Sequence, residues 1–124
     1  MNTRGIAAVC ALLALSCAAA QAQYTDDIDC TNPMTQRDMN ICANRDYAAA
    51  DAELNAAYRA AMARLDDGGK TRLRDSERGW IARRDRECEA ATADTVGGSI
   101  HPLDLAGCLT EKTRARTREL QSFR

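Results

Sequence analysis

Residues 73–88, LRDSERGWIARRDREC, carry the pattern that decides the fold of this chain. Five of these side chains recur at spacings of three and four, which places them on one face of an α-helix. They are Leu73, Glu77, Trp80, Arg84 and Cys88. Ile81 flanks this face, and we expect the helix to end near Ala93.

A second helical face precedes this segment. Its members recur at the same spacing and are Tyr47, Ala50, Leu54, Tyr58, Ala61 and Leu65. The sequence Asp66-Asp67-Gly68-Gly69 follows, and its two glycines predict the turn between the helices. Further upstream, Thr35 can cap a short helix that carries Met39 and Cys42. We expect residues 44–46, Asn-Arg-Asp, to break the helical structure before the longer helix. Asn and Asp side chains compete with the helical backbone for its hydrogen bonds.

A third helix is predicted near the C-terminal end. The Gly-Gly pair and Pro102 make residues 94–102 a loop. The helix after it should start at Leu103 or Asp104 and end near Gln121, with an inner face of Leu105, Leu109, Thr113, Arg116 and Leu120. Strand patterns are absent from the sequence. The predicted fold is therefore all-α: a long antiparallel helical hairpin with a third helix packed against it.

The first 22 residues have the features of an export signal. Arg4 precedes an apolar run from Ile6 to Ala20, and Ala20-Gln21-Ala22 fits the small-residue pattern of signal peptidase. The run is shorter than the roughly 20 apolar residues of a comfortable membrane span. We expect a signal peptide over residues 1–22, a single domain over residues 23–124, and a periplasmic or secreted protein. The alternatives are an N-terminal anchor helix and a lipoprotein attached through Cys17.

Charge and composition narrow the class of partner. Removal of residues 1–22 takes away Arg4 and no acidic residue, so 17 basic residues against 18 acidic become 16 against 18, a net charge of −2. A nucleic-acid-binding protein is expected to have a basic face or stripe, and this nearly balanced charge does not indicate one. The apolar residues are mostly alanines, which bury little area each, so the thin core should benefit from covalent cross-links.

Four cysteines follow the predicted signal: Cys30, Cys42, Cys88 and Cys108. An even number in a short exported chain predicts two disulfides. With the turn placed between Asp66 and Lys70, Cys42 and Cys88 differ by six residues in their distance from it, or about 9 Å along the axis at 1.5 Å per residue. That offset disfavours a Cys42–Cys88 bridge, unless the chain breaks near Asn44. We therefore predict the local bridges Cys30–Cys42 and Cys88–Cys108; zinc ligation by these cysteines is less consistent with their wide spacing.

The same register brings polar residues together inside the hairpin. It places Arg84 opposite Ala52 and hence near Asp51 and Asn55, with Trp80 above and Arg116 joining from the third helix. One interpretation is a site for an anionic group, since arginine offers a fixed fork of donors. The other is a structural polar cluster that sets helix register. We favour the structural interpretation, with Asp51 as the partner of Arg84.

Catalytic patterns are absent. His101 is the one histidine of the chain, the C-x-x-C pattern is missing, and no glycine-rich loop is followed by a lysine. We expect no enzymatic activity, metal or cofactor. The loop of Gly97, Gly98, Ser99, Ile100 and His101 is the candidate partner-binding surface, because a Cys88–Cys108 bridge would tie its ends and lower the entropy lost on binding. The alternative is an ordinary connection between helices.

These residues, taken in order, resemble the LprI-like lysozyme-inhibitor family. The matching positions are Cys30, Cys42, Asp51, Leu54-Asn55, Tyr58, Leu73-Arg74, Glu77, Trp80-Ile81, Arg84-Asp85, Cys88, Gly97-Gly98-Ser99-Ile100, Cys108, Thr113, Arg116 and Leu120. The Trp80, Arg84-Asp85, Cys88 segment and the Gly-Gly-Ser loop are the more specific parts. Two positions depart from the family: Glu77 stands where a glutamine is usual, and Arg83 where an aromatic residue is common.

The resemblance implies a small exported helical domain that binds without catalysis. Its named activity is inhibition of c-type lysozyme, which makes that enzyme the implied partner. Family membership supports fold more strongly than function. The alternative function is an envelope structural or stress protein with another partner.

Overall fold

The computed structural model describes residues 28–124, and this part of the chain is helical without strands. Helix α1 spans Gln36–Arg64, α2 spans Asp67–Ala91 and α3 spans His101–Gln121, with a short 3₁₀ helix at Ala93–Thr95. The predicted all-α fold with three helices is thus confirmed. The predicted signal peptide over residues 1–22 and the alternative of lipidation at Cys17 lie outside the described residues.

Helix α1 is longer and more regular than predicted. Thr35 caps it as expected, its Oγ1 accepting a hydrogen bond from the backbone N–H of Asp38 at 3.1 Å. The predicted interruption at residues 44–46 is wrong, because the helix continues through them to Arg64. Asn44 does bond to the backbone, but its Nδ2 donates to the Asn40 carbonyl one turn earlier at 2.9 Å. The side chain therefore adds a bond to the helix without replacing one.

The turn between α1 and α2 lies earlier than the glycines suggest. Only Leu65 and Asp66 separate the two helices. Asp66 caps α2, its carboxylate accepting from the Gly69 N–H at 2.7 Å. The predicted turn at Gly68-Gly69 is therefore wrong, since an aspartate cap can start a helix through glycines in its first turn.

This earlier turn changes the register of the hairpin. Residue positions in an antiparallel helix pair mirror about the turn, so a turn centred about two to three residues earlier moves each cross-helix partner by about five. Arg84, predicted to lie opposite Ala52, instead lies over the ring of Tyr47 at 5.7 Å from its centroid. Helix α2 ends at Ala91, close to the prediction.

The third helix lies alongside the first. At one end Asn40 of α1 bonds to the Ser99 carbonyl before α3, and at the other Arg64 bonds to the Leu120 and Gln121 carbonyls. Helices α1 and α3 are therefore parallel, and α2 is antiparallel to both. The α1 and α3 backbones approach each other most extensively, whereas α1 and α2 do so at few places. Small buried residues allow this approach, namely Ala50 and Ala61 on α1 and Ala106 on α3.

The core follows the predicted faces with one shift. All five residues predicted on the inner face of α2 are buried. The hydrophobic cluster comprises Leu54, Ala61, Leu73, Trp80 and Leu120. On α3, Leu105 and Leu109 are only half-buried, while Thr110 and Thr117 take buried positions that the periodicity did not indicate. Their hydroxyls donate to the carbonyls of Ala106 and Thr113, so the buried polar groups are satisfied within the helix.

All four described cysteines are disulfide-bonded, as predicted. Cys88 of α2 bonds to Cys108 of α3, with an S–S distance of 2.02 Å and Cα atoms 5.6 Å apart. The alternative Cys42–Cys88 bridge is therefore not formed. The argument used against it was wrong, however, because the earlier turn removes most of the axial offset; Cys88 instead lies on a face of α2 that meets α3.

Candidate functional site

The sequence singles out two regions as candidate sites: the buried polar cluster and the loop before α3. In the cluster, the guanidinium of Arg84 lies 5.0 Å from the centre of the Trp80 ring and that of Arg116 lies 5.8 Å from it. The structure therefore brings together Trp80, Arg84 and Arg116, three of the five residues predicted to meet. Tyr47 joins them as a second aromatic ring beside Arg84.

Each arginine of the cluster has its charge matched. Arg84 forms an ion pair with its sequence neighbour Asp85 at 2.8 Å and donates to the Thr113 hydroxyl at 3.3 Å. Arg116 donates from Nε to Glu77 at 2.9 Å and from Nη1 to Glu119 at 3.0 Å. Within residues 28–124, every fully buried side-chain nitrogen or oxygen has a hydrogen-bond partner. Such pairing of buried polar atoms is typical of a structural network.

Asp51 and Asn55 lie elsewhere. They bond to each other along α1, Asn55 Nδ2 donating to Asp51 at 3.0 Å in an exposed position. The acids that pair with the arginines are instead Asp85, Glu77 and Glu119. The register error accounts for the difference: Asp51 was placed beside Arg84 by a turn that the chain makes earlier. Glu77 was recognised on the inner face but was not assigned its partner, because spacing within α2 does not show which residue of α3 it meets.

The interhelix loop, residues 96–100, connects the 3₁₀ helix to α3. Gly97 has a φ of +82°, a conformation that side chains rarely adopt, so this position favours glycine. Gly98 donates its N–H to the Thr95 carbonyl at 2.9 Å, and His101 donates its N–H to the Gly98 carbonyl at 3.2 Å. The loop is thus a sequence of tight turns with a defined backbone path.

Three further interactions hold this loop. Asn40 Nδ2 donates to the Ser99 carbonyl at 2.9 Å, across 59 positions of sequence. The Thr95 hydroxyl and Nδ1 of His101 are hydrogen-bonded at 3.1 Å. The Cys88–Cys108 disulfide joins the helices on both sides. His101 was predicted to belong to the partner-binding loop, but it is the first residue of α3.

The surface near this loop carries acids. Asp94 precedes it and is exposed, and Asp104 follows it in the first turn of α3 and is half-buried. Further along, Lys112 donates to Glu87 at 2.6 Å, linking α2 and α3. That hydrogen bond and the charge of Lys112 lower the pKa of the Glu87 carboxyl.

The opposite end of the helices carries a cleft. An open cleft of about 670 Å³ lies beside the α1–α2 turn and is lined by Arg64, Leu65, Asp66, Arg72, Gln121, Ser122, Phe123 and Arg124. The part of the chain that the structure describes holds no group of three or more His, Cys, Asp or Glu residues placed to bind a metal ion. None of its helices is long and apolar enough to cross a membrane.

Fold and site together define a disulfide-stapled three-helix domain that presents a braced loop. Residues 29–120 match the family described as lysozyme inhibitor LprI, so the chain belongs to the LprI family and the resemblance seen in its sequence is confirmed. A protein of Rhizobium meliloti (strain 1021), named uncharacterized protein R02472, is 42% identical over 97% of this chain and 95% of its own length. Uncharacterized protein YecT of Escherichia coli (strain K12) is 28% identical over 70% of this chain and 65% of its own length. No solved structure matches.

Membership of this family supports three coarse conclusions. It suggests a lysozyme-inhibitor-like function and lysozyme as the kind of partner. It is consistent with a protein that does not catalyse a reaction. Together with the disulfides, it indicates an oxidising compartment outside the cytoplasm.

Proposed function

We propose that this protein inhibits c-type lysozyme in the bacterial envelope, as a periplasmic or secreted binding protein without catalytic activity. The observation that carries the proposal is the LprI family match over residues 29–120. The interhelix loop and the adjoining His101 are the binding surface in this proposal. The buried cluster around Trp80 supports that surface as framework.

The shape and charge of lysozyme support this proposal. Lysozyme cleaves its substrate in a cleft that contains two carboxyl groups, while the enzyme as a whole is basic. An exposed loop between two helices can enter such a cleft, and the acidic residues Asp94 and Asp104 beside it favour approach to a basic protein. The three interactions that hold the loop reduce the ordering cost of binding.

The test is a titration of purified, oxidised protein into assays of a c-type and a g-type lysozyme. We expect cell-wall lysis by the c-type enzyme to fall as micromolar protein is added, with less effect on the g-type enzyme. Unchanged lysis by both enzymes would remove lysozyme inhibition as the function and favour an envelope protein with another partner.

A matched pair of variants separates the two regions. Ser99→Ala, at an exposed position of the interhelix loop, should weaken inhibition with little change in thermal stability. Arg84→Ala should mainly lower stability, because it removes a buried side chain that contacts Trp80, Asp85 and Thr113. Loss of inhibition by Arg84→Ala at temperatures where it stays folded would move the binding site to the helical core.

A further inference from the structure

The interhelix loop exposes large hydrophobic side chains. In residues 28–124 four large hydrophobic residues are exposed: Met34, Ile81, Val96 and Ile100. Two of them lie within this one five-residue loop, where Val96 is 68% and Ile100 is 42% exposed. Single exposed hydrophobic residues are common on protein surfaces, whereas exposed hydrophobic residues grouped together can mark a contact surface.

Several polar groups of the same segment form hydrogen bonds within the protein. The Ser99 carbonyl accepts from Asn40, and the His101 ring bonds to Thr95. The Gly98 amide and carbonyl both form turn hydrogen bonds. These bonds fix the backbone and leave the apolar side chains as the larger outward feature of the loop.

Asn40 is itself held from the opposite side. Gln36 Nε2 donates to Asn40 Oδ1 at 2.9 Å, while Asn40 Nδ2 donates to the Ser99 carbonyl at 2.9 Å. Both ends of the Asn40 amide are therefore occupied, and its orientation is fixed by two partners. The first turns of α1 thereby position a loop that lies almost sixty residues later in the chain.

We propose that Val96 and Ile100 form an apolar anchor that enters the substrate cleft of a c-type lysozyme, and that Asn40 is the positioning residue that holds this anchor in its binding geometry. The inference rests on the proposed function and names the contact residues within it. The partner surface it fits is an apolar subsite with basic residues at its edge, facing Asp94 and Asp104. A few side chains seated in well-packed, desolvated pockets commonly dominate the binding energy of an interface.

The first experiment measures inhibition constants for Val96→Ser, Ile100→Ser and the double variant. The matched control is Ile81→Ser, which changes an isoleucine of similar exposure, 40%, on α2 outside the loop. We expect the double variant to raise the inhibition constant about 10-fold to 100-fold. The control should change it less than about 3-fold, as expected of a residue outside the interface.

Two outcomes would overturn the anchor in distinguishable ways. If the unchanged protein inhibits and the double variant inhibits equally well, the anchor is wrong while the proposed function stands. If the unchanged protein does not inhibit, the proposed function fails and the anchor fails with it. Melting curves of every variant guard against loss of folding; an inhibition loss explained by unfolding at the assay temperature also counts against the anchor.

The second experiment tests the positioning role of Asn40. Asn40→Ala should weaken inhibition several-fold and speed hydrogen exchange of the Gly98 and His101 amides, with the melting temperature nearly unchanged. The control is Asn44→Ala, an asparagine one turn later whose side chain bonds only to the Asn40 carbonyl among the hydrogen bonds described. Equal effects of the two variants on loop exchange would contradict a specific role for Asn40.

Discussion

At the residue scale, the buried arginines show what a side-chain pattern can and cannot predict. Periodicity placed Trp80, Arg84 and Arg116 on inner faces, and all three meet in the structure. Periodicity could not identify the acids that pair with these arginines. The choice between Asp51 and Glu77 depends on knowing the register of the helices to within one turn. Asp85 is adjacent to Arg84 in sequence and pairs with it, although helical periodicity does not place neighbouring residues on the same face.

The pairing of Arg116 gives a prediction with an internal control. Glu77→Gln should lower the free energy of unfolding by about 1–3 kcal/mol, since a buried guanidinium loses its buried carboxylate while Ser76 still bonds to it. Glu119→Gln removes the exposed acid of the same arginine and should cost less than about 1 kcal/mol. Chemical denaturation of the two variants measures both values. Equal losses would show that burial of Glu77 does not matter.

A pH dependence follows from the Glu87–Lys112 pair. The hydrogen bond from Lys112 lowers the pKa of Glu87 below its ordinary value of 4.5. A carboxyl group whose folded-state pKa is lowered adds stability above the unfolded-state pKa, and that stability is lost as the pH falls through the folded-state value. The difference in melting temperature between the unchanged protein and Glu87→Gln should therefore be small at pH 7, since both groups are exposed, and vanish in strong acid. A difference that grows on acidification would contradict the assignment.

At the element scale, helix existence was predictable and helix ends were less so. The three periodic faces gave three helices, and the cap at Thr35 and the ends of α2 and α3 agree closely with the structure. The turn was misplaced because the glycine pair was taken to mark it and Asp66 was not recognised as a helix cap. Asp66 is bonded to Gly69, so the glycines belong to the helix that the aspartate starts.

Gly69 and Gly79 form a matched pair that tests this placement. Gly69 lies in the buried first turn of α2, where an added Cβ would lie 3.0 Å from Leu65 Cβ and 3.1 Å from Asp66 Oδ1. Gly69→Ala should therefore destabilise the protein by about 1–3 kcal/mol, as overpacking does. Gly79 is exposed in the middle of α2, and Gly79→Ala should stabilise the protein by about 0.5–1 kcal/mol. Thermal unfolding compares them; stabilisation by both would show that the turn relaxes easily.

At the scale of the whole molecule, the arrangement of helices exceeded what the sequence could predict. Periodicity identifies the face that each helix buries but not the helix it meets. The parallel pairing of α1 with α3 depends on small residues, Ala50, Ala61 and Ala106, whose apolar signal is weak. The disulfides were predictable in number and in the Cys88–Cys108 pairing, although the register argument used to choose the pairing was wrong.

The Cys88–Cys108 bridge should stabilise the fold and the loop together. The bond closes a segment with a sequence separation of 20, so replacing both cysteines by serine should cost about 3 kcal/mol of unfolding free energy. The double variant should also exchange its loop amides faster, because the bridge ties the helices on both sides of that loop. Chemical denaturation and hydrogen exchange measure these effects. Unchanged loop exchange would indicate that the bridge does not brace the loop.

The central proposal for this LprI-family protein is that its interhelix loop blocks the substrate cleft of lysozyme. The direct measurement is steady-state kinetics of a c-type lysozyme on a soluble oligosaccharide, at several concentrations of the oxidised protein. Blocking of the cleft predicts that the apparent KM rises with added protein while kcat stays constant, and that Val96→Ser with Ile100→Ser reduces this rise. Kinetics that stay unchanged at micromolar protein, or a fall in kcat at constant KM, would contradict the claim.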